Sequence, residues 1–159
     1  MPEEPRRTKP LLPPPLWAAL FLGGMIVTSR LFPLTRIDFP GLALVSLSLM
    51  LAGLGAAVAG VLAFRRHRTT VDPREPGKAS SLVTSGIYGV TRNPMYLGMA
   101  LIVTGFGLGT NSLIALSLAP VFVLALTKFQ IEPEEAAMRR LFGEAYDAYA
   151  ARVPRWLFV

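Results

Sequence analysis

The chain reads Gly86-Ile87-Tyr88-Gly89-Val90-Thr91-Arg92-Asn93-Pro94-Met95-Tyr96-Leu97-Gly98, and about one helical hairpin later it carries Glu134-Glu135. A cation, an amide, two phenols and two carboxylates therefore stand at the ends of strongly apolar segments. Polar groups are costly at membrane depth unless they face protein or a wet cavity, so such a cluster reads as a functional site. Arg92 can hold a carboxylate by a bidentate fork. Asn93 offers donors and an acceptor. Pro94, opening a helix, leaves backbone amides facing the cytoplasm, a place for an anionic group. Tyr88 and Tyr96 can stack on a flat heterocycle or face a cation. Glu134 and Glu135 can bind ribose hydroxyls or stabilise a positive centre. No nucleophile–base pair accompanies them, and neither a G-x-G-x-x-G nor a P-loop occurs. The set suits the positioning of two reactants better than a covalent intermediate. Each residue also has a plainer reading: Arg92 as a membrane-edge cation, the tyrosines as interfacial belt residues, and the glutamates as first-turn acids.

Composition sets the class in which this cluster works. Of 159 residues, 52% are hydrophobic and 16% charged, with a mean hydropathy of +0.48. Soluble domains carry about 25% charge. The charges are segregated between long apolar runs, the pattern of a helical membrane protein. There are no cysteines, so disulfides, thiolate nucleophiles and cysteine-held metals are excluded. The single histidine, His67, argues against a histidine-built metal site and reads as a surface residue, so no metal is expected. The net charge of +6 comes from residues flanking apolar segments. That fits anionic lipid and topology control, not nucleic acid.

Apolar segments at 16–34, 41–64, 95–110 and 112–129 predict an all-α polytopic integral membrane protein with four transmembrane helices and a C-terminal amphipathic helical region. One membrane domain is expected over 1–159. It has two N-terminal helices in 1–64, a cytoplasmic loop with the motif in 65–94, a transmembrane hairpin in 95–130 and a cytoplasmic amphipathic helix in 131–159. Gly109-Thr110-Asn111 supplies the hairpin's tight turn. Four prolines between Pro10 and Pro15 read as an extended lead-in. The first apolar run is too long for a signal-peptide core and lacks a small-residue cleavage site, so it is read as a retained helix. Pro120 either kinks the fourth segment or opens a cavity. Gly53 and Gly60 can pack within one chain or between two, which leaves the oligomeric state open.

Orientation follows from the basic residues. Arg6, Arg7 and Lys9 precede the first segment. Arg65, Arg66, Arg68, Arg74, Lys78 and Arg92 lie between the second and third, and Lys128, Arg139, Arg140, Arg152 and Arg155 follow the fourth. Only Arg30 and Arg36 fall on the other side. Both termini are expected in the cytoplasm, at the inner or plasma membrane if the source is bacterial, and the motif and the glutamates share that face. Beyond the fourth segment, Glu132-Pro133-Glu134-Glu135 reads as a helix start. Met138, Leu141, Phe142, Ala145, Tyr146, Tyr149 and Val153 form an amphipathic stripe. Glu135 and Arg139 are spaced to pair. Gly143 marks either a close approach or a break between two helices. Tyr146 and Tyr149 read as packing residues.

From about Thr69 to Leu157 the chain resembles the membrane-embedded isoprenylcysteine carboxyl methyltransferase family, related to the phospholipid methyltransferases. The resemblance rests on Leu82-Val83-Thr84-Ser85-Gly86-Ile87-Tyr88 and Arg92-Asn93-Pro94-Met95-Tyr96-Leu97-Gly98. It continues through Glu134-Glu135, Phe142-Gly143-Glu144-Ala145-Tyr146-Asp147-Ala148-Tyr149 and Val153-Pro154-Arg155. It implies S-adenosylmethionine as methyl donor, in a pocket open to the cytosol, and a lipophilic acceptor entering from the bilayer. An isoprenoid-type carboxylate is the first choice of acceptor, and membrane lipids surround the protein. Tyr88, Arg92, Asn93, Pro94, Tyr96, Gly98, Glu134 and Glu135 become the cofactor-site candidates, with Arg92 and Glu135 as the catalytic pair. The family often has histidine in place of Asn93, which removes proton transfer there. It often has a basic residue in place of Gly89, which removes one anion contact. A carboxylate acceptor needs no general base, whereas an amine needs one, such as Glu134 or Glu135. Arg92→Ala and Glu135→Ala are both expected to abolish cofactor binding without unfolding. The rival readings are an NADPH-dependent membrane reductase of the sterol-reductase type and a non-catalytic membrane protein that keeps the fold.

Overall fold

The computed structural model describes residues 12–66 and 82–158. Arg6, Arg7, Lys9, the start of the proline run, His67, Arg68, Arg74 and Lys78 lie outside the described residues. Among the described residues the fold is all-helical apart from one isolated bridge between Arg36 and Ser112.

Helix α1 spans Pro14–Leu31. Pro14 and Pro15 belong to its first turn rather than to an extended lead-in, because proline's missing N–H is not needed there. Pro13 alone keeps the extended conformation, with φ −57° and ψ 141°. The helix stops before the expected position 34 because Pro33 disfavours helical backbone at Phe32. A short 3₁₀ turn, Pro33–Thr35, follows. Helix α2, Leu42–Arg66, ends on Arg65 and Arg66, where cations suit the carbonyl end of the dipole. Helix α3, Pro94–Gly109, turns through Asn111 at φ 55°, a conformation asparagine tolerates, into α4, Leu113–Leu126. Ser112 caps α4 by accepting the Ala115 N–H.

An α-helix does begin at Glu132, but it continues from the preceding helix rather than starting free. Helix α4 passes through a widened turn, Thr127–Ile131, straight into α5, Glu132–Phe142. Pro133 would lose a hydrogen bond and strike a carbonyl inside a regular helix. The chain instead widens to a five-residue step, with the Glu132 N–H donating to the Thr127 carbonyl. Gly143, at φ 52° and ψ −128°, breaks the tail, and α6 follows at Glu144–Ala150. The amphipathic region is thus two helices.

Among the described residues two helices are long and apolar enough to cross a membrane, Leu42–Arg66 and the 30-residue run Leu113–Phe142. The expectation of four spans goes further than this. Helix α1 dilutes its apolar run with two prolines and Arg30, and α3, at 16 residues, falls short of the roughly 20 of a full span.

Helices α2 and α3 pack antiparallel through small residues. A Cβ on Gly53 would stand 2.5 Å from the Gly98 carbonyl oxygen, and one on Gly98 equally close to that of Gly53. Ser46 Oγ donates to the Gly105 carbonyl at 2.7 Å. Such residues let backbones approach and exchange polar contacts, as in membrane bundles. Gly53 and Gly60 are therefore occupied within one chain. Met25, Val103, Ala115, Ala119, Phe122 and Leu126 join α1, α3 and α4 in one core. Outward faces carry exposed Leu20, Leu44, Leu51, Leu54 and Leu124, the surface lipid would cover. Pro120 is exposed on that side. At the end away from the motif, the Ile37 N–H donates to the Asn111 carbonyl at 2.9 Å, fastening the α1–α2 connection to the α3–α4 turn.

Candidate functional site

Residues 91–93 enter α3 under constraint from the C-terminal segment. The Arg92 N–H donates to the Pro154 carbonyl at 3.0 Å. The Thr91 hydroxyl and the Asn93 side-chain amide both donate to the Arg155 carbonyl, at 3.0 and 3.1 Å. This clip brings two arginines to one carboxylate. Arg155 Nε and Nη2 donate to the two oxygens of Glu135 at 3.0 and 2.7 Å, a bidentate fork. Arg92 Nη2 lies 3.2 Å from Glu135 Oε1. The Glu135 side chain is 7% exposed and that of Arg92 12%, while Arg155 retains 29%. The hydrogen bonds from Arg155 to Glu135 push its guanidinium above an already high ordinary value. The triad is a fixed cationic wall.

A second wall stands beside it. Tyr96 O–H donates to Glu134, and the Gln130 side chain lies next to the same phenol. Tyr88 is positioned by the 3₁₀ turn Gly86–Gly89, by the edge of Phe64 at 5.2 Å, and by Tyr149, whose O–H donates to the Tyr88 carbonyl at 2.7 Å. Burial, then the neighbouring Tyr149 and Glu134, pushes the Tyr88 phenol well above its ordinary range, so it stays protonated. Tyr146, Tyr149 and Val153 form a small second core with Leu82, Met138 and Phe142, which seats the tail under the site.

The structure brings most of the expected residues together: Arg92 with Glu135, Tyr96 with Glu134, and Tyr88 beside Glu134. It assigns other work to three of them. Asn93 spends its amide on the Arg155 carbonyl, a task requiring only an N–H donor, which asparagine and a histidine ring share. Pro94 and Gly98 meet α2, at Gly60 and at Gly53 with Ala57. The expected Glu135–Arg139 pair does not form. Arg139 donates to Asp147 at 3.0 Å and lies over the Tyr146 ring, because Glu135 points to the two site arginines.

Two site residues went unrecognised in the sequence. Arg155 was only part of the Val153-Pro154-Arg155 motif, although a motif arginine far from the membrane-edge clusters is a signal. Gln130 is 1% exposed, one turn before Glu134 in an apolar run, where an uncharged polar residue is itself a marker. Gln130 Oε1 and Arg92 Nε are buried with no hydrogen-bond partner. Among the described residues no cation pairs with Glu134.

Comparison with known proteins follows the same residues. The phospholipid methyltransferase family matches residues 42–145. A 77-residue stretch is 38% identical to the protein-S-isoprenylcysteine O-methyltransferase of Schizosaccharomyces pombe, covering 46% of this chain and 31% of that protein. A 63-residue stretch is 35% identical to an uncharacterized protein of Haemophilus influenzae, covering 40% of this chain and 100% of the relative. The chain thus spans well under half the length of the yeast enzyme it matches. No solved structure matches. The reductase reading gains nothing from these similarities.

Proposed function

The chain belongs to the phospholipid methyltransferase family, and from that premise we propose that it transfers a methyl group from S-adenosylmethionine to a lipophilic acceptor at the cytoplasmic membrane face. All four apolar helices then lie in the membrane, with both termini cytoplasmic. The observation that carries the reading is the buried Arg92–Glu135–Arg155 triad set beside the Tyr96–Glu134 pair at one end of an apolar bundle.

The groups left unpartnered suit this zwitterionic, adenosine-bearing donor. Arg92 Nε is a buried free N–H for a carboxylate. Gln130 Oε1 is a buried free acceptor for a hydroxyl or amine. Glu134, with no cation paired to it among the described residues, and the faces of Tyr88 and Tyr96 suit a positive centre. When bound, the donor supplies an electrophilic methyl on a sulfonium. The chain's own task is to hold the reactants in line, an effect worth up to roughly 7–11 kcal/mol. The triad keeps Arg92 from swinging, the tyrosine-lined wall excludes water, and the Glu134 carboxylate balances positive charge. A carboxylate acceptor, such as an isoprenoid-type acid, needs no base. With an amine acceptor, Glu134 would take the proton.

The test is calorimetric titration of detergent-solubilised protein with S-adenosylmethionine and S-adenosylhomocysteine, with NADPH as the comparison. One-site binding of the first two, lost in Arg92→Ala, is expected. Folded protein that binds neither would end the proposal.

A further inference from the structure

Gln130 is 1% exposed, and its Oε1 has no hydrogen-bond partner among the described residues. A buried acceptor left unmade is costly. The Tyr96 hydroxyl beside it is already committed to Glu134, and the Trp17 Nε1, stacked on the preceding Phe129, is itself buried without an acceptor. The residue sits in the widened turn Thr127–Ile131, a local irregularity of a kind frequent at functional sites. It precedes Glu134 by four residues, so the two side chains share a face of the helix about 5–6 Å apart at Cβ.

Resting on the methyl-donor reading above, we propose that Gln130 is a further binding residue. Its side-chain oxygen and the Glu134 carboxylate together accept the two adjacent ribose hydroxyls of the donor's adenosine. Both oxygens are acceptors, and among the described residues no cation pairs with Glu134. An incoming phosphate or carboxylate would meet lone pairs on both sides, whereas a neutral vicinal diol brings one O–H for each. Acids commonly bind ribose hydroxyls in this way in nucleotide sites. The arrangement divides the pocket. The Arg92 side takes the anionic end of the ligand, and the Gln130–Glu134 face takes the sugar.

The experiment uses the full chain in detergent, as wild type and Gln130→Met, a close match in volume with no acceptor amide. S-adenosylhomocysteine and its analogue lacking both ribose hydroxyls are titrated by calorimetry, and the melting temperature is recorded without ligand. Gln130→Met is expected to bind S-adenosylhomocysteine about tenfold more weakly, the equivalent of about 1.4 kcal/mol. It should bind the hydroxyl-free analogue as well as wild type does. Its ligand-free melting temperature should change little, since the unpartnered acceptor is removed together with the side chain's contact to the Tyr96 phenol. Undiminished S-adenosylhomocysteine affinity overturns the inference. So does an equal loss on both ligands, or a lower ligand-free melting temperature with binding preserved, the result for a glutamine that only holds the fold. Should Gln130→Met fail to fold, Gln130→Leu carries the same comparison. Failure of the wild type to bind S-adenosylhomocysteine at all defeats the methyl-donor reading itself, a distinct outcome.

Discussion

Replacing Glu135 with glutamine removes the carboxylate that holds both Arg92 and Arg155. Breaking a buried ion pair by deleting one partner costs about 3–5 kcal/mol, because a charge is left uncompensated. Two features move the figure to the low end. Arg155 is 29% exposed and can be rehydrated, and glutamine keeps one oxygen to accept a single bond. Arg92, at 12%, has no such escape. A loss of about 3 kcal/mol follows, which at roughly 2–4 °C per kcal/mol for a chain of this size lowers the melting temperature by about 6–12 °C. Arg92→Ala leaves the Arg155–Glu135 fork intact and should cost about 1–2 kcal/mol by the loss of one charge-assisted contact. From the sequence, Arg92→Ala and Glu135→Ala are expected alike to be binding defects in a folded protein, but burial separates the loss of Glu135 from that of Arg92. Thermal unfolding followed by circular dichroism in detergent, beside S-adenosylhomocysteine titration, reads both. An Arg92→Ala variant less stable than Glu135→Gln would refute the reasoning, as would wild-type melting in Glu135→Gln.

Other consequences are as direct. Gly53→Ala forces a methyl against the Gly98 carbonyl and should cost at least about 1–3 kcal/mol by overpacking, whereas Gly55→Ala, with open space around it, should be neutral or gain up to about 1 kcal/mol. Equal melting temperatures for the two would show that α2 and α3 do not meet as described. Tyr149→Phe deletes the 2.7 Å bond to the Tyr88 carbonyl and should accelerate amide exchange over 82–90 at a cost of about 1–2 kcal/mol; unchanged exchange would contradict the seating of the tail. Burial pushes the phenols of Tyr88, Tyr146 and Tyr149 upward. Their folded values exceed the unfolded value near 10, so the stability they contribute is complete below about pH 10 and is lost as pH rises through the folded values. Phenolate absorbance should therefore appear together with loss of helicity, and titration of these tyrosines near pH 10 in intact protein would show them to be open to water.

The helices were legible because apolar runs bounded by charge, proline and glycine leave few alternatives in so uncharged a chain. Their ends were less legible, for local reasons. Proline at Pro14 and Pro15 enters a helix where a lead-in is expected, and Pro133 is absorbed by a widened turn where a start is expected. Both outcomes depend on whether neighbouring backbone can do without one N–H. The candidate residue types were visible, and Tyr88, Arg92, Tyr96, Glu134 and Glu135 do lie together. What no spacing rule shows is which partner a side chain chooses. Helical spacing puts Arg139 within reach of Glu135, yet tertiary contact brings Arg92 and Arg155 there instead. Asn93 and Gly98 belong to the motif as much as Arg92 does, but their contacts hold the clip and the α2–α3 seam.

The unbroken helix Leu113–Phe142 has a bearing on the lipids around the protein. At 1.5 Å per residue, Glu134 stands about 30 Å along it from Leu113, close to the thickness of a bilayer's hydrocarbon. One continuous helical rod, widened at Thr127–Ile131, therefore serves both as anchor and as the arm that carries Glu134 and Glu135. A membrane of longer or shorter acyl chains would tilt the rod or stretch the bilayer around it. Either response shifts the height of those carboxylates relative to the membrane surface, and so relative to the lipophilic acceptor proposed above. Turnover should then pass through an optimum in acyl-chain length, making bilayer thickness a control on reaction rate that acts through geometry alone.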